Sequence, residues 1–147
     1  MEQAVLRMLD TMIGTVDDAE LVRELDRHKS ETEEHTRRLR ERLEAHGAAP
    51  SVVKQAGGII GALAKMPLEL LRGEKTGRSA RDGYVAEHME IASYELLERV
   101  ARAAGDDETE ALCREIIAQE RAMADAIAAR WDAIAELSLR EEGVAAA

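Results

Sequence analysis

The stretch LVRELDRHKSETEEHTRRLRERL, residues Leu21–Leu43, decides the fold. It contains neither Gly nor Pro, and Leu21, Leu25, Leu39 and Leu43 recur at helical spacing, so it predicts a long amphipathic helix. Between Leu25 and Leu39 the same stripe passes through His28, Thr32 and His35, with Glu31 flanking both histidines. The centre of the stripe is therefore polar where burial favours apolar side chains.

Working outward, a first helix runs from the start to about Ile13 and ends at Gly14, and the Asp17-Asp18 pair opens the second. The second helix extends to about His46, where Gly47 and Pro50 stop it. A crossover spanning about 48–81 follows, with Gly57, Gly58 and Gly61 among Ile59, Ile60, Leu63 and Leu68, then the polar Gly73 to Ser79. It is expected to contain one short apolar helix, placed on a bundle flank or at a subunit interface. A third helix begins near Asp82 and reaches Ala104, Gly105 with Asp106-Asp107 makes a break, and a fourth helix runs from Glu108 to Leu137. A bundle over residues 1–138 and a disordered tail over 139–147 complete the expected organisation. Two helical hairpins joined by one long connection is the ferritin-like way of closing a four-helix bundle.

Composition agrees with an all-α class. The chain has 147 residues, 46% of them hydrophobic and 34% charged, a mixture suited to amphipathic helices and not to a disordered acidic segment. It has no Phe, one Trp, two Tyr and two Pro, which disfavours a sandwich or barrel. A formal charge of −10 repels phosphate backbones, so nucleic acid is excluded as a partner. The longest apolar stretch, Ala56–Leu71, is interrupted by Lys65, Pro67 and Glu69, and the acidic N-terminus lacks a signal-peptide layout. A soluble, cytoplasmic protein with no stable membrane insertion is the expectation. Cys113 is the only cysteine and stands among Leu112, Ile116 and Ile117, where it reads as helix packing.

The informative residues are the polar ones on apolar faces. Glu2 lies on the face of Val5, Leu9 and Met12; Glu87 and Glu90 share a face with Tyr94 and Leu97; Glu120 interrupts the row Leu112, Ile116, Met123, Ile127 and Trp131. Each helix thus directs at least one Glu inward. Such carboxylates coexist only if cations neutralise them, as in di-iron and di-manganese bundles. The usual Glu-x-x-His pair is absent: helix two offers His28-x-x-Glu31 in reverse order, with Glu31 and His35 one turn apart, helix three offers Glu87-x-x-Glu90, and helix four has Met123 where a histidine would stand. A carboxylate-rich, histidine-poor set suits hard cations such as Mn²⁺ or Fe³⁺. His28 is preferred as a ligand over His35 and His88, and Tyr84 and Tyr94 read as packing residues.

At these residues the sequence resembles the YciE/YciF-type ferritin-like stress proteins. The matching stretches are Met1-Glu2-Gln3, His28 to His35 followed by Arg38-Leu39, Arg81-Asp82-Gly83-Tyr84, Glu87-His88-Met89-Glu90-Ile91-Ala92-Ser93-Tyr94, and Glu120 in Gln119-Glu120-Arg121-Ala122. They follow in order over nearly the whole chain. The resemblance implies a rubrerythrin-related bundle that pairs as a homodimer and holds two metal ions, Fe or Mn. Its ligands would be Glu2, Glu31, Glu87, Glu90 and Glu120, with His28 behind them. It also implies a first helix shortened ahead of Glu2, and a fourth helix with Gln119-Glu120 in place of a tandem acidic pair. The function implied is a di-metal carboxylate protein of the oxidative or general stress response; if an enzyme, it is a di-metal oxidoreductase acting on O₂ or peroxide. The alternative is a non-enzymatic dimeric helical stress protein that binds a partner through its Gly-rich crossover and keeps a structural or vestigial metal site. A mineral-storing cage ranks third.

Overall fold

Helical periodicity carries through into structure. In the computed structural model, which describes residues 1–15, 19–48 and 76–144, there are five helices and no strand among the described residues. They are α1 (Glu2–Thr15), α2 (Ala19–Ala45), α3 (Thr76–Ala104), α4 (Asp107–Ala128) and α5 (Trp131–Glu141). The class is all-α, as expected. The short apolar helix of the crossover, Pro50 and the Asp17-Asp18 pair lie outside the described residues. No helix among the described residues is long and apolar enough to cross a membrane.

The chain divides into two compact units, Met1–Gly73 and Glu74–Ala147. In the first, α1 packs on α2. Val5, Leu9 and Met12 of α1 and Leu25 of α2 are buried, so apolar positions three and four apart form the face that the period predicts. Outside this core, Lys29 Nζ reaches Asp10 Oδ1 at 2.6 Å and joins the two helices. The Asp10 carboxylate holds the Lys29 ammonium above its ordinary range. The helix α2 ends in a Schellman motif: Gly47 takes φ +68°, its N–H donates to Glu44 O at 2.9 Å, and the Ala48 N–H donates to Leu43 O at 2.9 Å.

In the second unit, α3 packs on both α4 and α5. The α3–α4 turn is the tight break expected from Gly105-Asp106-Asp107. Gly105 adopts φ +73°, and the Asp106 side chain accepts from the Thr109 N–H at 3.1 Å, capping α4. Leu112, Cys113, Ile116, Ile117, Met123 and Ile127 of α4 are buried. At the rim of the hairpin, Glu98 and Glu110 alternate with Arg102 and Arg114. Arg102 bonds Glu98 at 2.5 Å and Glu110 at 2.7 Å, while Arg114 bonds Glu98 at 3.1 Å and also Glu110.

Three boundaries differ from expectation. The first is the start of α3, which begins at Thr76, six residues ahead of Asp82. Its first turn is supported by α5 and not by its own sequence. The Glu141 carboxylate accepts from the Thr76 N–H at 3.1 and 3.2 Å and from its hydroxyl. Gly77, which reads as loop, sits in this turn because α5 is close: a Cβ there would lie 2.5 Å from Ser138 Oγ. The second is the expected fourth helix, which is two helices. Its backbone breaks at Ala129-Arg130, where the Arg130 N–H donates to Ile127 O at 3.0 Å and the guanidinium bonds Ala126 O at 2.8 Å. No Gly or Pro marks the break; packing of α5 on α3 sets it, through buried Ile134 and the edge-on contact of Trp131 with Tyr84, ring centres 5.5 Å apart. Trp131 is consequently not on the inner face expected of it but 36% exposed. The third is the tail: Leu139, Arg140 and Glu141, assigned to it by the sequence, belong to α5.

Two measurements test this core. Ile116→Ala should lower unfolding free energy by about 2–5 kcal/mol, whereas Leu43→Ala, at an exposed position, should change it by less than about 0.5 kcal/mol; denaturant titration reads both. Burial raises the Cys113 thiol from 9.0 to about 11. In native protein it should therefore resist a disulfide reagent at pH 8 and react fully in guanidinium. The unfolded chain loses this proton first, so the thiol's contribution to stability is present below pH 9.0 and is lost as pH rises to about 11.

Candidate metal centre

The middle of α2 is as polar in the structure as in the sequence. His28, Thr32 and His35 are all buried, and they succeed one another at steps of four and three residues on one face. The Thr32 hydroxyl donates to His28 O at 2.9 Å, which satisfies it within the helix and leaves the two imidazoles as the chemically distinctive groups of this face. Each has a carboxylate beside it. His28 Nδ1 lies 3.6 Å from Glu31 Oε2, and His35 Nδ1 lies 4.0 Å from Glu2 Oε2. These are ion-pair separations, longer than hydrogen bonds. Glu31 also lies 3.8 Å from Arg27 Nε, and its side chain is 27% exposed, the least buried of the residues selected from the sequence. Glu2, at the first position of α1, is buried.

The second unit carries three of the carboxylates singled out from the sequence. Glu87 and Glu90 are one turn apart on α3, Glu120 stands at the middle of α4, and all three are buried. An oxygen of Glu87 and one of Glu120 lie within 4.8 Å of each other. Two full charges at that distance repel by about 3 kcal/mol at an effective dielectric constant of roughly 20. A shared proton or a cation relieves that repulsion. The neighbours on the same faces are Ile116, Met123 and Ile127 of α4 and Ile91 and Tyr94 of α3, all buried. Met123 occupies the position where a second imidazole would complete a Glu-x-x-His pair.

The remaining candidates separate cleanly. His88 is exposed and lies edge-on to Tyr84 with ring centres 4.5 Å apart, on the outer side of α3. His35, ranked below His28 from sequence, is buried as deeply and faces a carboxylate of its own. Glu110 is a buried carboxylate that the sequence pattern did not single out; its signal was Arg114 one turn along the helix and Arg102 across the turn.

Solved structures show what this chain is similar to. A crystal structure of a protein from Xanthomonas campestris pv. campestris matches with a TM-score of 0.77 and 28% identity, covering 97% of this chain and 90% of that one. YcfI from Rhodopseudomonas palustris matches with a TM-score of 0.63 and 23% identity, covering 86% of this chain and 82% of that one, which is a likeness of fold. The profile of the family described as a domain of unknown function (DUF892) matches residues 1–139, and the chain belongs to that family.

Proposed function

We propose that this chain is a di-metal carboxylate protein whose candidate ligands are Glu2, His28, Glu31, Glu87, Glu90 and Glu120. The observation that carries this reading is the burial of Glu87, Glu90 and Glu120 on α3 and α4, in a chain that also buries two imidazoles on α2. The donor set fits the group. It is dominated by carboxylate oxygen with at most two imidazole nitrogens and no thiolate, a composition that favours Fe or Mn over Zn or Cu. The resemblance to YciE/YciF-type stress proteins points the same way, and adds a homodimeric, cytoplasmic protein of the oxidative or general stress response.

The chain's own residues would do three things. Glu87, Glu90 and Glu120 supply negative charge from helix positions that are fixed by packing, so little reorganisation accompanies binding. Ile91, Ile116, Met123 and Ile127 keep water away from them, which strengthens every electrostatic interaction inside. Glu31, partly exposed, would hold the His28 imidazole in its orientation from 3.6 Å away. Iron or manganese, when bound, supplies Lewis acidity and redox chemistry toward O₂ or peroxide.

Metal analysis of protein purified without chelator from iron- or manganese-replete cells should give about two ions per chain. Glu90→Gln and Glu120→Gln should lower that ratio by half or more, and Glu31→Ala should lower it as well. His88→Ala, at an exposed position, should leave it unchanged. Fewer than one ion per chain under replete conditions, or ratios insensitive to the carboxylate substitutions, overturns the reading. Saturating metal should also raise the melting temperature of the wild-type chain, since a ligand bound only by the native state stabilises it, and the Glu120→Gln chain should lose most of that rise.

A further inference from the structure

The chain has no Phe, so every aromatic ring outside its histidines belongs to a side chain that can give up an electron to a strong oxidant: Tyr84, Tyr94 and Trp131. Phenylalanine fills a core as well as tyrosine does and resists such oxidation, so packing alone does not account for the choice. Two of the three are in contact. The Tyr84 and Trp131 rings stand edge-on with centres 5.5 Å apart and planes at 70°, and the His88 ring lies against Tyr84 at 4.5 Å. Tyr84 is half-buried, Trp131 is exposed, and Tyr94 is buried.

The pair leads from the carboxylates toward water. Tyr84 precedes Glu87 by three residues on α3 and so stands one turn from it on the same side of the helix. Trp131 is the first residue of α5, and its indole meets both Tyr84 and solvent. An electron crosses two rings in contact far faster than a radical on either meets a second protein molecule. Indole and phenol give up an electron at similar potentials, so an oxidising equivalent placed on one ring is shared with the other. The exposed ring is then the point at which a soluble molecule can exchange that electron.

We propose that Tyr84 and Trp131 form an electron relay between the buried carboxylates and a soluble one-electron donor at the surface. The relay rests on the proposed metal site for its oxidant, hydrogen peroxide reduced at the carboxylates. In each pass Tyr84 gives up one electron inward and its phenolic proton leaves to water. Trp131 then reduces the Tyr84 radical, which regains a proton from water while the indole releases its own. A donor of the ascorbate or phenol class gives the Trp131 radical an electron and a proton, which restores the indole. Two passes deliver two electrons; with two protons from water they break the O–O bond of one hydrogen peroxide and leave two waters.

The metal-free chain tests the ring pair by itself. Azide radicals made by pulse radiolysis oxidise exposed indole first, and Cys113 and Tyr94 are buried away from them. The absorption of the Trp131 radical should decay into that of a tyrosyl radical at a rate independent of protein concentration. Tyr84→Phe keeps the ring and removes only the hydroxyl, so the fold should hold and the transfer should be lost; Tyr94→Phe should leave the transfer intact. Trp131→Phe is the second variant, and should lose the early tyrosyl signal. A decay that scales with protein concentration, or one that Tyr84→Phe leaves unchanged, overturns the relay. In the iron-loaded chain, hydrogen peroxide should leave an aromatic radical in electron paramagnetic resonance that ascorbate quenches and Tyr84→Phe removes. No such radical on a chain that holds iron, or one that survives Tyr84→Phe, overturns the link to the carboxylates. Metal ratios on the same samples separate this from the metal reading: a chain that holds no metal yet passes the equivalent from Trp131 to Tyr84 removes the metal reading alone.

Discussion

An ionisable side chain leaves water only when its surroundings answer its charge, by a proton, an opposite charge or a metal. That constraint bears hardest on the interior of this chain. Among the described residues, Glu2, Glu87, Glu90, Glu110 and Glu120 are buried and no Lys or Arg is. Glu110 meets the constraint at the rim of its hairpin, where the guanidinium groups of Arg102 and Arg114 reach in from the surface. Glu87, Glu90 and Glu120 sit deeper, among Ile, Met and Tyr, where an arginine stem would have to displace core packing to reach them. The same helix thus carries two kinds of buried carboxylate, Glu110 anchoring a turn and Glu120 set deep in the core.

The fold was legible because its deciding signals are local. The break at Gly105-Asp106 and the end of α2 at Gly47 depend on one residue that tolerates positive φ and, at the break, on a side chain that caps the next helix, all of which stand in the sequence beside the structure they make. What escaped was set from a distance. Thr76-Gly77 reads as loop because nothing nearby favours a helix; the support comes from Glu141 and from the close approach of Ser138. The break before Trp131 has no local cause at all, since Ala and Arg both favour helix, and only the contact of Trp131 with Tyr84 and the burial of Ile134 explain it. The buried polar residues were legible for the opposite reason: a Glu or His at a stripe position is conspicuous against an apolar background, and depth alone distinguished His35 from His88.

The helix α3 carries a burden that its neighbours do not. It packs on α4 and α5 and brings Glu87 and Glu90 inward, yet sets Val85, Leu96 and Val100 outward. A helix apolar on two sides gains little amphipathic guidance from water alone, so its rotation about its own axis must be fixed by specific contacts. The Glu98–Arg102–Glu110–Arg114 ring at one end and the Thr76–Glu141 and Gly77–Ser138 contacts at the other supply them. A rotation by one residue, about 100°, would carry Glu90 off the buried face and bring an outer residue such as Val85 toward it. These end contacts, far from the carboxylates, therefore act with the buried packing of Ala86, Ile91, Tyr94 and Ala101 to hold the carboxylates inward.

This coupling gives α5 a part in positioning Glu87 although no candidate ligand lies on it. α5 exists as a separate helix because the chain turns at Ala129-Arg130, and the turn lets Glu141 reach the first N–H of α3. An acidic group at a helix N-terminus answers the partial positive charge of the exposed N–H groups there. Removing the Glu141 carboxylate would leave the first turn of α3 without that support and free it to fray toward Ala80. Fraying at that end would loosen Tyr84 first and Glu87 next, since they stand two and three turns into the helix. The position of Glu87 thus depends on a carboxylate more than fifty residues away in sequence, a dependence that helical periodicity cannot express.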